Sequence, residues 1–186
     1  MEFVILHKKK LNTQFIKHLI LLTVLLLSIN LQGQENKKIP KGFCISDDEN
    51  RLFESINLFI VENGGKPLSL SKSLSYVARV HINDLSQNHP DTSVCNLSSW
   101  SDKGNWTACC YNPYILDPDC MWDKPKQITE FKYRGYELAL FFEEEFNSDS
   151  VMLMLYSSKF ALDMLLTKGD YSSKKWICMG VGINDN

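Results

Sequence analysis

Beyond position 33, the side chains best equipped for acid–base, nucleophilic or metal chemistry are His81, His89 and six cysteines: Cys44, Cys95, Cys109, Cys110, Cys120 and Cys178. His81 falls on an apolar stripe with Leu70, Leu74, Val77, Ala78 and Leu85. An imidazole there reads first as a core histidine satisfied by a hydrogen bond. His89, just before Pro90, reads as a turn residue. A serine nucleophile needs an imidazole partner, and Gly-x-Ser-x-Gly does not occur. Ser98 and Ser158 have no partner evident from spacing. Glu143-Glu144-Glu145 lacks the ligand spacing of a calcium loop and reads as a solvated charge run. Without Cys-x-x-Cys, zinc is the weaker reading of the cysteines, and neither a metal nor a cofactor is expected.

The cysteines fit an exported chain. Lys8, Lys9, Lys10 and Lys17 precede LILLTVLLLSINL at 19–31. A basic stretch before a short apolar core has the layout of a secretory signal. Thirteen such residues are too short for comfortable passage across ~30 Å of hydrocarbon. The reading is a signal over 1–33, ending at Gly33, with release to the periplasm or the exterior and no stable membrane span once it is removed. Removal takes four lysines and one glutamate and shifts the net charge from -2 to -5. That balance argues against nucleic-acid binding by charge. An even cysteine count in an exported chain points to disulfides, with 15 pairings open for six. Cys44 and Cys178, near opposite ends of the mature chain, could tie them together.

These residues need elements to place them. Residues 34–45 are polar. Ser46-Asp47-Asp48-Glu49 is a capping box, followed by Leu52, Phe53, Ile56, Phe59 and Ile60 at helical spacing, and Asn63-Gly64-Gly65 stops the helix. A second helix starts near Ser71 and closes before Pro90. Residues 91–127 form a loop region rich in cysteine, turn formers and aromatics; Trp100, Trp106, Tyr111, Tyr114 and Trp122 are expected to pack around its bridges, with a binding face as the alternative. A strand is expected over 133–142, one helix over 148–166 and a buried strand over 176–183. This order implies a single α/β domain over 46–186, with helices covering both faces of a small sheet.

The segment 52–85 resembles the opening of the CAP superfamily, the cysteine-rich secretory, antigen 5 and pathogenesis-related 1 proteins. The resemblance rests on Ile56-Asn57, Pro67-Leu68, Leu74, Ala78, His81 and Asp84-Leu85 in order. Gly135-Tyr136-Glu137 and Met179-Gly180-Val181-Gly182 extend it. CNLSSWSDKGNWTACCY with CMWDKP is similar to a cysteine-rich bacterial branch. The resemblance covers roughly 50–184. It implies a three-layer α-β-α sandwich around a small mixed, mainly antiparallel sheet. It also implies a central cavity with two histidines and acidic residues. Those histidines would fall near Ser98 and Ala161, so the family's metal does not carry over. Glu137 stands where the family has a glutamate. The cavity candidates are thus Glu137, Ser98, Ala161 and His81. The expected function is an exported, non-catalytic protein binding a small apolar ligand or a macromolecular surface. The alternatives are a hydrolase using Glu137 with His81 or a serine, and a structural envelope protein. Asn96-Leu97-Ser98 and Asn105-Trp106-Thr107 also match the N-glycosylation pattern, which matters only in a glycosylating host.

Overall fold

The computed structural model describes residues 39–112, 114, 117–142 and 146–184. The expected export signal and Glu143, Glu144 and Glu145 lie outside the described residues.

Helix α1, Asp47–Glu62, begins as its sequence requires. Ser46 Oγ accepts from the Glu49 amide at 3.2 Å, and Glu49 Oε2 accepts from the Ser46 amide at 2.8 Å. Its buried face is Leu52, Ile56 and Ile60. After the turn at Gly64, Asn57 makes two hydrogen bonds to Leu68, 2.8 and 2.9 Å, and so fixes the return of the chain. This return delivers β1, Ser69–Leu70. Helix α2, Lys72–Asn88, starts on a Ser71 cap and ends at His89 in the left-handed region, φ 47°.

Two short helices follow the cysteine region: α3, Pro118–Trp122, and α4, Lys124–Ile128, each with proline in its first turn. The helix expected over 148–166 is two: α5, Ser148–Ser157, and α6, Lys159–Leu165. Ser158 is the cause. Its backbone is extended and its hydroxyl accepts from the Ala161 amide, so it caps α6 instead of continuing α5. A 3₁₀ turn, Gly169–Tyr171, leads to β2, Cys178–Met179.

The α-β-α sandwich is not what forms. Six α-helices dominate the described residues, and the only named sheet among them is β1 beside β2, parallel, with Ser69 opposite Cys178 and Leu70 opposite Met179. The expected strand over 176–183 shortens to two residues because its backbone donors are claimed elsewhere. The Val181 amide donates to Ser75 Oγ at 3.1 Å and the Ile183 amide to Glu49 Oε1 at 3.3 Å. Gly180 and Gly182 permit this. A Cβ at Gly180 would collide with the Ser75 amide, and one at Gly182 would sit 2.6 Å from the Arg79 nitrogen. Residues 133–142 form no ladder either; two of them, Tyr136 and Glu137, make the contacts described below.

The aliphatic core is Leu52, Ile56 and Ile60 of α1, Val151, Met152 and Leu155 of α5, Ala161 and Val181. Each of these side chains other than that of Ala161 contributes about 1.5–3 kcal/mol when fully buried. No single helix among the described residues is long and apolar enough to cross a membrane.

Candidate functional site

His81 and Asp84 lie three residues apart on the buried face of α2. Asp84 accepts from the Ser101 amide at 2.8 Å, the Ser101 hydroxyl at 2.5 Å and Asn88 at 2.8 Å. This pins the first turn of the cysteine region to the helix. About one turn earlier on the same face, His81 is 1% exposed. Its Nε2 is 2.8 Å from the Ser99 carbonyl, and its Nδ1 is 2.5 Å from Glu137 Oε1.

A carbonyl only accepts, so Nε2 carries a hydrogen. Burial pushes the His81 pKa down and is the largest single influence on it. The Glu137 charge and hydrogen bond, the Ser99 carbonyl and Asp84 together outweigh burial and hold it above its ordinary value. Both ring nitrogens of His81 are thus committed within the protein, Nε2 donating to the Ser99 carbonyl and Nδ1 hydrogen-bonded to Glu137. Its ring stacks on Trp100, centroids 4.1 Å apart and planes 6° apart.

Lys124 closes the cluster. Its ammonium donates to the Thr107 carbonyl at 2.6 Å and the Cys120 carbonyl at 2.9 Å, and lies 5.6 Å from the Trp100 ring centroid. Burial lowers its pKa to about 8, against the pull of Asp123, Glu137 and Asp84. The region it braces holds two bridges, Cys95–Cys110 and Cys109–Cys120, and a two-residue bridge of backbone hydrogen bonds between Trp100 and Cys109. Cys44 and Cys178 do not tie the chain ends together: both are free, Cys44 exposed and Cys178 half-buried beside Ser71.

Of the expected cavity residues, His81 and Glu137 meet directly. Ser98 is adjacent but not engaged, since its amide donates to the Asn96 side chain at 2.9 Å while the next carbonyl receives His81. Ala161 belongs to the aliphatic core. Two open grooves run along α1, α5 and α6, and none of the four lines either. Chemically the cluster is a closed lock: both ring nitrogens and the ammonium are committed, and only Glu137 Oε2 and Trp100 Nε1 in it are buried with no hydrogen-bond partner. Among the described residues no group of His, Cys, Asp and Glu is arranged to hold a metal ion.

Sequence reasoning missed Lys124, Asp84 and Trp100 as members of this cluster. The signal for Asp84 was present in its three-residue offset from His81; that for Lys124 was not, because its acceptors are carbonyls. It also missed a second feature beside Glu137. Tyr136 lies 4.7 Å from Trp122 and 4.9 Å from Trp176, with Tyr171 6.1 Å away, and Tyr171 in turn meets Phe160 at 5.9 Å, all centroid to centroid. None of the five rings is fully buried, Phe160 is 57% exposed, and the Lys174 ammonium sits 5.2 Å from the Tyr136 centroid. Trp176 is fixed in place by donating Nε1 to the Met164 carbonyl at 2.6 Å.

Comparison with family models, with curated proteins and with solved structures gives no match.

Proposed function

We propose that this chain is an exported, non-catalytic recognition protein that engages a macromolecular surface through its aromatic face. The observation that carries the reading is the chain of partly exposed rings from Trp122 through Tyr136 and Tyr171 to Phe160. Rigid aromatics present large contact area at low cost in side-chain entropy, and aromatic residues are enriched where interface energy concentrates. Here the rings stand ordered before any partner arrives, and Lys174 favours a partner with an acidic fringe. Export rests on the basic-then-apolar start of the chain and is supported by the two disulfides. The kinship proposed is with the CAP superfamily in motif order alone, since the sandwich does not form.

The hydrolase alternative gains one point: His81 and Glu137 do converge. It lacks a free base. A general base must reach the proton it removes, and both His81 nitrogens are already hydrogen-bonded inside the protein.

A photo-crosslinking amino acid at Phe160, compared with one at the exposed Val94, tests the recognition reading in the cell that makes the protein. A discrete high-mass adduct from position 160 alone is the expected result. No adduct from position 160, or the same adduct from both positions, overturns it.

A further inference from the structure

The two grooves lie side by side and share one wall, the rings of Phe59 and Tyr156, whose centroids are 4.8 Å apart. The groove between α1 and α5 is about 440 Å³. Its apolar rim is Leu58 and Leu153, 60% and 66% exposed, and its charged rim is Glu62 and Asp149. The groove between α1 and α6 is about 410 Å³ and contains Leu162 and Leu166. Its charged rim is Lys159 and Lys168 against one acid, Asp163, which pairs with Lys159. The strip is therefore apolar along its middle, net negative at one end and net positive at the other.

Such a surface complements its own copy turned through 180° about an axis at its centre. We infer that a second copy of this chain docks here as an isologous dimer, with the two-fold axis at the Phe59–Tyr156 pair. Leu58 and Leu153 of each copy then enter the α1–α6 groove of the other. Glu62 and Asp149 face Lys159 and Lys168, and symmetry makes each contact twice. A partner of uniform charge would suit one end of the strip and be repelled at the other. The strip is confined to two neighbouring grooves with two leucines on the rim, a smaller apolar face than a permanent dimer uses. The association is accordingly weak and reversible, and the strip contains none of the five rings of the aromatic face, although Lys159 and Lys168 lie beside it in the chain.

Sedimentation equilibrium of the protein as purified from the cell that makes it is the test. The expected result is a monomer–dimer equilibrium with Kd roughly between 1 and 100 μM. Lys168→Glu weakens it about tenfold. Adding Glu62→Lys to the same chain restores it, and Leu153→Asp abolishes it. The three side chains are exposed, so circular dichroism of each variant stays that of the unsubstituted protein. A monomer up to about 1 mM, an association indifferent to Lys168→Glu, or a failure of Glu62→Lys to restore it overturns the proposal. Restoration by a second surface charge is not what a folding defect would give, so it separates docking from stability.

Discussion

His81 and Lys124 titrate in opposite senses, and together they set how stability changes with pH. The folded pKa of His81 is above its ordinary value of 6.5, so the folded state holds a proton that the unfolded chain releases near that pH. Its contribution is fully present below 6.5 and is lost as pH rises through the higher folded value. Lys124 behaves inversely. Its folded pKa is about 8 against 10.5 when exposed, so above pH 8 the unfolded chain binds the extra proton and stability rises with pH. The expected melting-temperature profile falls from about pH 6.5, passes a minimum near pH 8 and recovers above it. His81→Gln removes the fall, and Lys124→Met, whatever its overall offset, removes the recovery. A profile that is flat or rises monotonically from pH 6 to 9.5 would contradict the pairing of His81 with Glu137 and the burial of Lys124. Buried Glu49 is a third side chain whose partners tie distant segments together. It caps α1, pairs with Arg79 of α2 and accepts from Ile183, so one carboxylate joins three segments. The sequence pattern shows only the first of those roles, because the capping box is local and the others span 30 and 134 residues.

At the level of elements, legibility followed the range of the contacts. The start and stop of α1 and the span of α2 are encoded within one turn of chain, in Ser46, Glu49, Gly64 and Ser71, and the structure matches them. The break at Ser158 is local too, but an apolar stripe on both sides masks it: Val151, Leu155, Leu162 and Leu165 keep helical spacing through a residue that caps. The sheet departs from the sequence pattern for a different reason. A run such as WICMGVGI satisfies strand periodicity, yet periodicity does not say which groups will take its amides. Here Ser75 and Glu49 take them, and the glycines serve close approach to α2. That contrast is measurable. Gly180→Ala places a methyl against the backbone of α2, which has no rotamer with which to yield, and is expected to cost about 3 kcal/mol or more in urea denaturation. Gly42→Ala meets nothing within 4 Å and is expected to change stability by less than about 0.5 kcal/mol. Equal effects at the two positions would mean that residues 180–182 do not press on α2.

Across the whole molecule, the two bridges and the polar lock divide the work of holding the cysteine region. Both disulfides join residues within 95–120, closing separations of 15 and 11 residues, and neither reaches α1, α2, α5 or α6. Attachment to the body comes instead from Asp84 to Ser101, His81 to Ser99 and Glu137, and Gln127 to Thr107. The aliphatic core of α1, α5 and α6 contains no cysteine. Reduction therefore restores chain entropy to the cysteine region, about 3 kcal/mol per bridge for loops of this size, while leaving that core's own contacts intact. Hydrogen exchange followed by mass spectrometry should show amides in 95–120 losing protection on treatment with a phosphine reductant, while those near Leu52, Ile56 and Leu155 keep theirs. In the unreduced protein two thiols should react with a maleimide, Cys44 promptly and Cys178 slowly, because one is exposed and burial holds the other's pKa up. Simultaneous loss of protection throughout would show that the bridges hold the whole body. Absence of any reactive thiol would show a third bridge, and with it a tie between the two ends of the chain that the free thiols contradict.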